Sequence, residues 1–292
     1  MPLVPESPRT GSERGCLRCR IPTGSGPADP SSRGTSTSTA PRQRRARGSR
    51  GPRRRGRSTP YVTGASTPPR SPVQPTCSPR NSRWDYNNLP YWGGEVDCCI
   101  NAYTLANGAW LGADVSGIAQ WFLDHRMADG GWNCEWVEGS TRSSFHSTLN
   151  SLKGLLYYEA ATGGCDELRA ARRSGEQYLL QRRLLRTLST GELVGPWATR
   201  FAYPCRWIYS VLNAAEYFRA AALRDGIAPD SRLADAIEVI HAARRPDGTW
   251  LQEHRHPGRV WFEIDVPPGE PSKWLTFYGT RVLSWWDGAT RN

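Results

Sequence analysis

The segment Asp129-Gly130-Gly131-Trp132-Asn133-Cys134-Glu135-Trp136 returns in weaker form as Asp247-Gly248-Thr249-Trp250-Leu251-Gln252-Glu253-His254. Each copy follows an amphipathic stretch ending in basic residues and precedes another apolar stretch. One loop at matching places in a helical chain implies stacked helix pairs, because a single pair cannot bury its apolar face alone. The repeat therefore constrains the fold before any other feature.

The apolar spacing supports this. It predicts helices over 97–110, 115–126, 146–160, 167–183, 207–222, 232–244 and 273–286, each with apolar positions three and four residues apart. The first is apolar over most of its circumference, as expected of a helix covered on several sides, whereas 115–126 and the Arg-rich 167–183 carry narrower stripes. Inner and outer helices then alternate, and the long loops follow the outer ones. The expected architecture is an all-α domain over 83–292, an α/α toroid of repeated helix pairs whose loops gather at one mouth of a central cavity. Seven helices make just over half of a six-pair ring, so missing repeats, a partner chain or a second copy is expected to cover its open edge.

Composition divides the chain near residue 82. Residues 1–80 hold 16 Arg against Glu6, Glu13 and Asp29, a balance of 16 − 3 = +13. The rest has 38 − 16 = 22 basic and 27 − 3 = 24 acidic side chains, a balance of −2. The net +11 therefore belongs to the tail, and only the tail could attract nucleic acid on charge. All 13 Trp lie beyond it. An Arg/Pro/Ser/Gly-rich segment over 1–82 cannot bury enough apolar surface to offset its ordering entropy, and is expected to be disordered. Arg outnumbers Lys 36 to 2, a bias of GC-rich coding sequence, and the tail is read in part as a shifted frame replacing earlier repeats. No apolar run is long enough to span a bilayer. The eight Cys lack secreted-type spacing, which points to a reducing, cytoplasmic setting.

The Asp-Gly-Gly-Trp-Asn-Cys-Glu loop resembles the repeat shared by squalene/oxidosqualene cyclases and the β subunits of protein prenyltransferases, over roughly residues 90–290. In that superfamily such loops tie adjacent repeats together, which implies structural roles for Trp132, Glu135 and Trp250. The resemblance implies a polyprenyl or terpenoid small molecule as the ligand.

The segment Gly94-Glu95-Val96-Asp97-Cys98-Cys99-Ile100, at the start of the first inner helix, resembles two family motifs. As a cyclase motif, Asp97-Cys98 matches the Asp-Cys pair of the oxidosqualene type. Asp97 would then be the proton donor that starts polyprene cyclisation, supported by Cys98 and His146. Tyr103, Trp110, Trp207 and Trp274 would line the cavity and stabilise carbocations, with Arg142 a further cavity residue, and no metal would be needed. As a transferase motif, Asp97-Cys98-Cys99 matches the Asp-x-Cys of a zinc site, completed by His146 of Ser144-Phe145-His146-Ser147-Thr148. Asp97, Cys99 and His146 would then hold zinc with a fourth position open to a thiol. The basic positions six and three before that Asp in transferases are Tyr91 and Gly94 here. A structural alternative stays open: Asp97 as a helix cap, Cys98 and Cys99 as core thiols, and His146 bonded locally. The cyclase motif is taken as the leading functional expectation, with the zinc site and a non-catalytic scaffold beside it.

Overall fold

The computed structural model describes residues 82–258, 260 and 262–290. The Arg-rich tail, with the disorder expected for it, lies outside the described residues but for residue 82.

Seven α-helices make up the described chain: α1 (Cys98–Leu111), α2 (Ser116–Asp124), α3 (Phe145–Thr162), α4 (Asp166–Gln181), α5 (Val211–Asp225), α6 (Ala234–Ala242) and α7 (Lys273–Thr290). The fold is all-α, with one small antiparallel ladder, β1 (Trp250–Leu251) on β2 (Pro271–Ser272). The helices pack in a fixed order. α1 lies on α3, α3 on α5 and α5 on α7, while α2, α4 and α6 pair with α1, α3 and α5 respectively. No described helix is long and apolar enough to cross a membrane.

Local chemistry explains where the helices begin. Asp97, Ser144 and Ser210 cap α1, α3 and α5, each accepting a main-chain N–H from the first turn. Helix α5 starts at Val211, four residues later than its apolar spacing predicts. The Tyr209 N–H is taken by His146 Nδ1 at 2.9 Å, and Ser210 is extended, so the chain before Val211 is tied to the start of α3.

The tightest helix contact is between α1 and α3. A Cβ built on Gly154 would lie 2.7 Å from the Cα and carbonyl oxygen of Ala102. Only a glycine lets the two backbones approach so closely.

One buried charge network ties α3, α4 and α5. Arg172 is 0 % exposed and binds Glu159 at 3.0 Å, Glu176 at 2.6 Å and Asp225 at 2.8 Å. Of the described cysteines, Cys98, Cys99, Cys134 and Cys205 are free thiols.

The two copies of the repeated loop are held alike. Trp132 donates its indole N–H to the Phe122 carbonyl at 3.0 Å, and Trp250 donates to that of Ile240 at 2.9 Å. The amide of Trp132 donates to Thr148 Oγ1 and that of Trp250 to Thr276 Oγ1, both at 3.1 Å. Each Trp is 1 % exposed. Both therefore join the end of one helix to the start of another.

Candidate metal centre

Asp97, Cys98, Cys99 and Cys134 bring one carboxylate oxygen and three sulfurs within 4.8 Å of one another. The first three sit at the N-terminus of α1. The fourth comes from a 3₁₀ turn, Cys134–Glu138, inside the first copy of the repeated loop.

The segment ahead of α1 is pinned by its own polar groups. Gly94 has φ +82°, and a Cβ there would meet Asn101 Oδ1 at 2.7 Å, so the position needs glycine. Asn101 accepts the Glu95 N–H and donates to the Glu95 carbonyl. Glu95 in turn accepts the Asp97 N–H at 2.8 Å. Asp97 Oδ1 accepts the Cys99 N–H at 2.9 Å, so the structural capping role is real. The same oxygen also lies 2.6 Å from Cys134 Sγ.

The Cys134 turn is fastened from three sides. Asn133 caps it, accepting the Glu135 N–H at 3.1 Å. Ser147 of α3 accepts the Cys134 N–H at 3.1 Å and contacts its sulfur at 3.3 Å. Trp136 donates its indole N–H to the Val96 carbonyl at 2.8 Å, holding the turn against the residue before Asp97. Cys134 Sγ consequently lies 3.2 Å from Cys98 Sγ and 3.3 Å from Cys99 Sγ.

The electrostatics follow from burial and crowding. Burial, reinforced by negative charge on Cys134 and by its hydrogen bond, pushes the Asp97 carboxyl up to about 7. Cys134 moves strongly the other way, because the thiols of Cys98 and Cys99 donate to it, with Asp97 and Ser147 adding to them. Cys98 is raised mainly by burial, and Cys99 mainly by its hydrogen bond to Cys134. No ion pair among the described residues involves any of these four groups.

His146 is not in this group. Its Nδ1 accepts the Tyr209 N–H, so the neutral ring carries its proton on Nε2 and has no free lone pair there for a metal. Burial lowers its pKa, stabilising that neutral form. Its ring packs against Trp197 at 4.5 Å and Trp207 at 5.6 Å between centroids. The ligand set expected from the transferase motif is therefore gathered in part: Asp97 and Cys99 meet, Cys98 and Cys134 join them, and His146 stands aside.

The other expected cavity residues are scattered. Tyr103 lies beside the cluster: its hydroxyl donates to the Arg206 carbonyl at 2.6 Å and sits 3.2 Å from Asn150 Oδ1, and Asn150 Nδ2 reaches Cys99 Sγ at 3.5 Å. Trp207 is 41 % exposed and Trp110 is 56 % exposed. Trp274 stacks on Tyr203, 5.0 Å between centroids, and donates to the Ile264 carbonyl. The Arg142 side chain is exposed, and its carbonyl accepts from Asn133 Nδ2 at 2.8 Å and Ser140 Oγ at 3.3 Å.

Cys134 is the residue that sequence reasoning missed, although a signal existed. Aligning the two loops puts Cys134 opposite Gln252. Gln252 is 1 % exposed and grips the main chain of Tyr203 through both ends of its amide. A thiol at a position otherwise filled by a structural amide is a marker of altered chemistry. No family model, curated protein or solved structure matches the chain.

Proposed function

We propose that Asp97, Cys98, Cys99 and Cys134 bind zinc, and that the chain is a zinc-dependent, prenyltransferase-like protein acting on a thiol and an isoprenoid. The convergence of three sulfurs and one carboxylate oxygen within 4.8 Å carries this reading. Thiolates with one harder donor suit zinc over magnesium or calcium. Zinc–sulfur bonds of about 2.3 Å in a tetrahedron separate sulfurs by about 3.8 Å, so the observed 3.2 and 3.3 Å require only a small outward movement.

Zinc held there would lower the pKa of a thiol substrate. Asp97 is the exchangeable donor, because its oxygen also serves the α1 cap. Asp97 would then be the one oxygen donor of the set, beside the position a thiol would take. The isoprenoid part rests on the loop resemblance, and the toroid on the helix order and the like-held Trp132 and Trp250. A partner chain or second copy beside α7, where Phe277 is 47 % exposed, belongs to the same proposal.

Metal analysis of the full chain purified without chelator tests the reading. About one zinc per chain is expected, lost in Cys99→Ser and Cys134→Ser. A metal-free wild-type protein that takes up no added zinc overturns it.

Burial that keeps the Asp97 carboxyl protonated leaves the cyclase as a second reading, while a pKa near 7 makes it a weaker acid than alkene protonation demands. Conversion of a polyprene without metal, abolished by Asp97→Asn, distinguishes it.

A further inference from the structure

We infer that Cys134 and Cys98 form a peroxide-responsive disulfide whose formation expels the metal. The inference rests on the zinc reading for the expulsion, though not for the sulfur chemistry.

Two sulfurs 3.2 Å apart need to close by only about 1.2 Å to reach the disulfide bond length of about 2.05 Å. Their placement is asymmetric in a useful way. Cys134 lies partly exposed on a short 3₁₀ turn, whereas Cys98 and Cys99 are 0 % and 7 % exposed behind it on α1. An oxidant therefore meets Cys134 first, with a second thiol already in contact.

Geometry selects the partner. Cys98 and Cys99 are adjacent, and a trans peptide holds their Cα atoms about 3.8 Å apart. That is below the roughly 4.4 Å minimum of ordinary disulfides, so the two do not bridge within the helix. Cys99 is also held, its sulfur by the Asn150 amide and its N–H by Asp97. The Cys98 sulfur makes the shorter approach to Cys134, 3.2 Å against 3.3 Å for Cys99.

The chemistry balances with hydrogen peroxide as oxidant. The Cys134 sulfur attacks one peroxide oxygen, the O–O bond breaks, and a sulfenic acid and one water result. The Cys98 sulfur then attacks the Cys134 sulfur. The S–S bond forms, the S–O bond breaks, and hydroxide leaves as a second water; with zinc bound both sulfurs are thiolates, and the two protons come from solvent. The two sulfurs lose one electron each, and peroxide gains two. Zinc, deprived of two of its four donors, departs as the free cation.

The test treats the zinc-loaded full chain with stoichiometric peroxide, blocks remaining thiols and maps tryptic peptides. Cleavage at Arg83, Arg126 and Arg142 places Cys98 on 84–126 and Cys134 on 127–142, so the bridge appears as a linked pair. Fragmentation between residues 98 and 99 locates its sulfur without any substitution. The expected result is a Cys98–Cys134 bridge, one zinc released per bridge, reversal by a dithiol, and at least a tenfold slower reaction in Cys98→Ser. Cys205→Ser should react as the wild type does. Over-oxidation of Cys134 without a bridge, or a bridge to Cys99, overturns the inference and leaves zinc binding untouched. A Cys98–Cys134 bridge in a protein that binds no zinc upholds the switch and removes the metal reading instead.

Discussion

Cys134 occupies in the first repeated loop the position that Gln252 occupies in the second, and the two side chains do different work. Gln252 Oε1 accepts the Tyr203 N–H at 2.8 Å and its Nε2 donates to the Tyr203 carbonyl at 2.6 Å. Cys134 reaches instead to the sulfurs of Cys98 and Cys99 and to the Asp97 carboxyl. One loop stitches the main chain, and the other assembles a donor cluster.

The exchange Cys134→Gln should therefore separate fold from site. Ser147, Asn133 and Trp136 still hold the turn, so helical circular dichroism should match the wild type. Zinc stoichiometry should fall from about one to near zero. Retained metal would show that Cys134 is not a ligand.

The indole bonds of the two loops should be worth similar amounts. In Trp132→Phe the ring is largely kept but the Phe122 carbonyl loses its donor, and the same holds for Trp250→Phe and Ile240. A buried acceptor left unpaired costs about 1–3 kcal/mol, and the smaller ring adds to it. Urea unfolding should show a comparable loss for both variants. A near-zero effect at either site would break the equivalence of the repeats.

Arg172 should be far less tolerant than its place on an Arg-rich helix suggests. Its removal in Arg172→Met strands Glu159, 1 % exposed, together with Glu176 and Asp225. Breaking a buried pair from one side costs about 3–5 kcal/mol. Chemical denaturation measures it, and a loss below about 1 kcal/mol would contradict the network.

Acid should destabilise the fold through His146. Burial lowers its folded pKa below the ordinary 6.5, and Nδ1 must stay unprotonated to accept the Tyr209 N–H. The unfolded chain therefore binds a proton that the folded one refuses. This contribution is complete above pH 6.5 and is lost as pH falls through the lowered value. His146→Asn, whose Oδ1 can still accept that N–H, should flatten the dependence between pH 6.5 and 5. His254 and His256, both also lowered, act in the same direction, whereas Asp97, raised to about 7, acts in the opposite one, so the test is the difference in slope between variant and wild type. An unchanged profile in the variant would remove His146 as the cause.

Much of the fold was legible in the residues alone. Three- and four-residue apolar spacing marks helices because side chains so spaced share a face, and six of the seven predicted helices start within two residues of the observed ones. The exception, α5, begins late because a hydrogen bond to His146 at the start of α3 takes the Tyr209 amide. Local periodicity cannot register such a partner. The small ladder of Trp250–Leu251 on Pro271–Ser272 was missed for the same reason.

Asp97 and Cys99 were recognisable as candidates because they are neighbours in sequence and open a helix. Cys134 and His146 exchanged places in the account because both lie far from them along the chain. Spacing says how much chain separates two residues, but only packing decides whether their side chains meet. Trp136 on Val96 and Ser147 on Cys134 bring the distant sulfur in, while Tyr209 holds the imidazole aside. Helix content thus came from nearest neighbours in sequence, and the donor set from contacts between residues 36 and 37 positions apart, which no local pattern encodes.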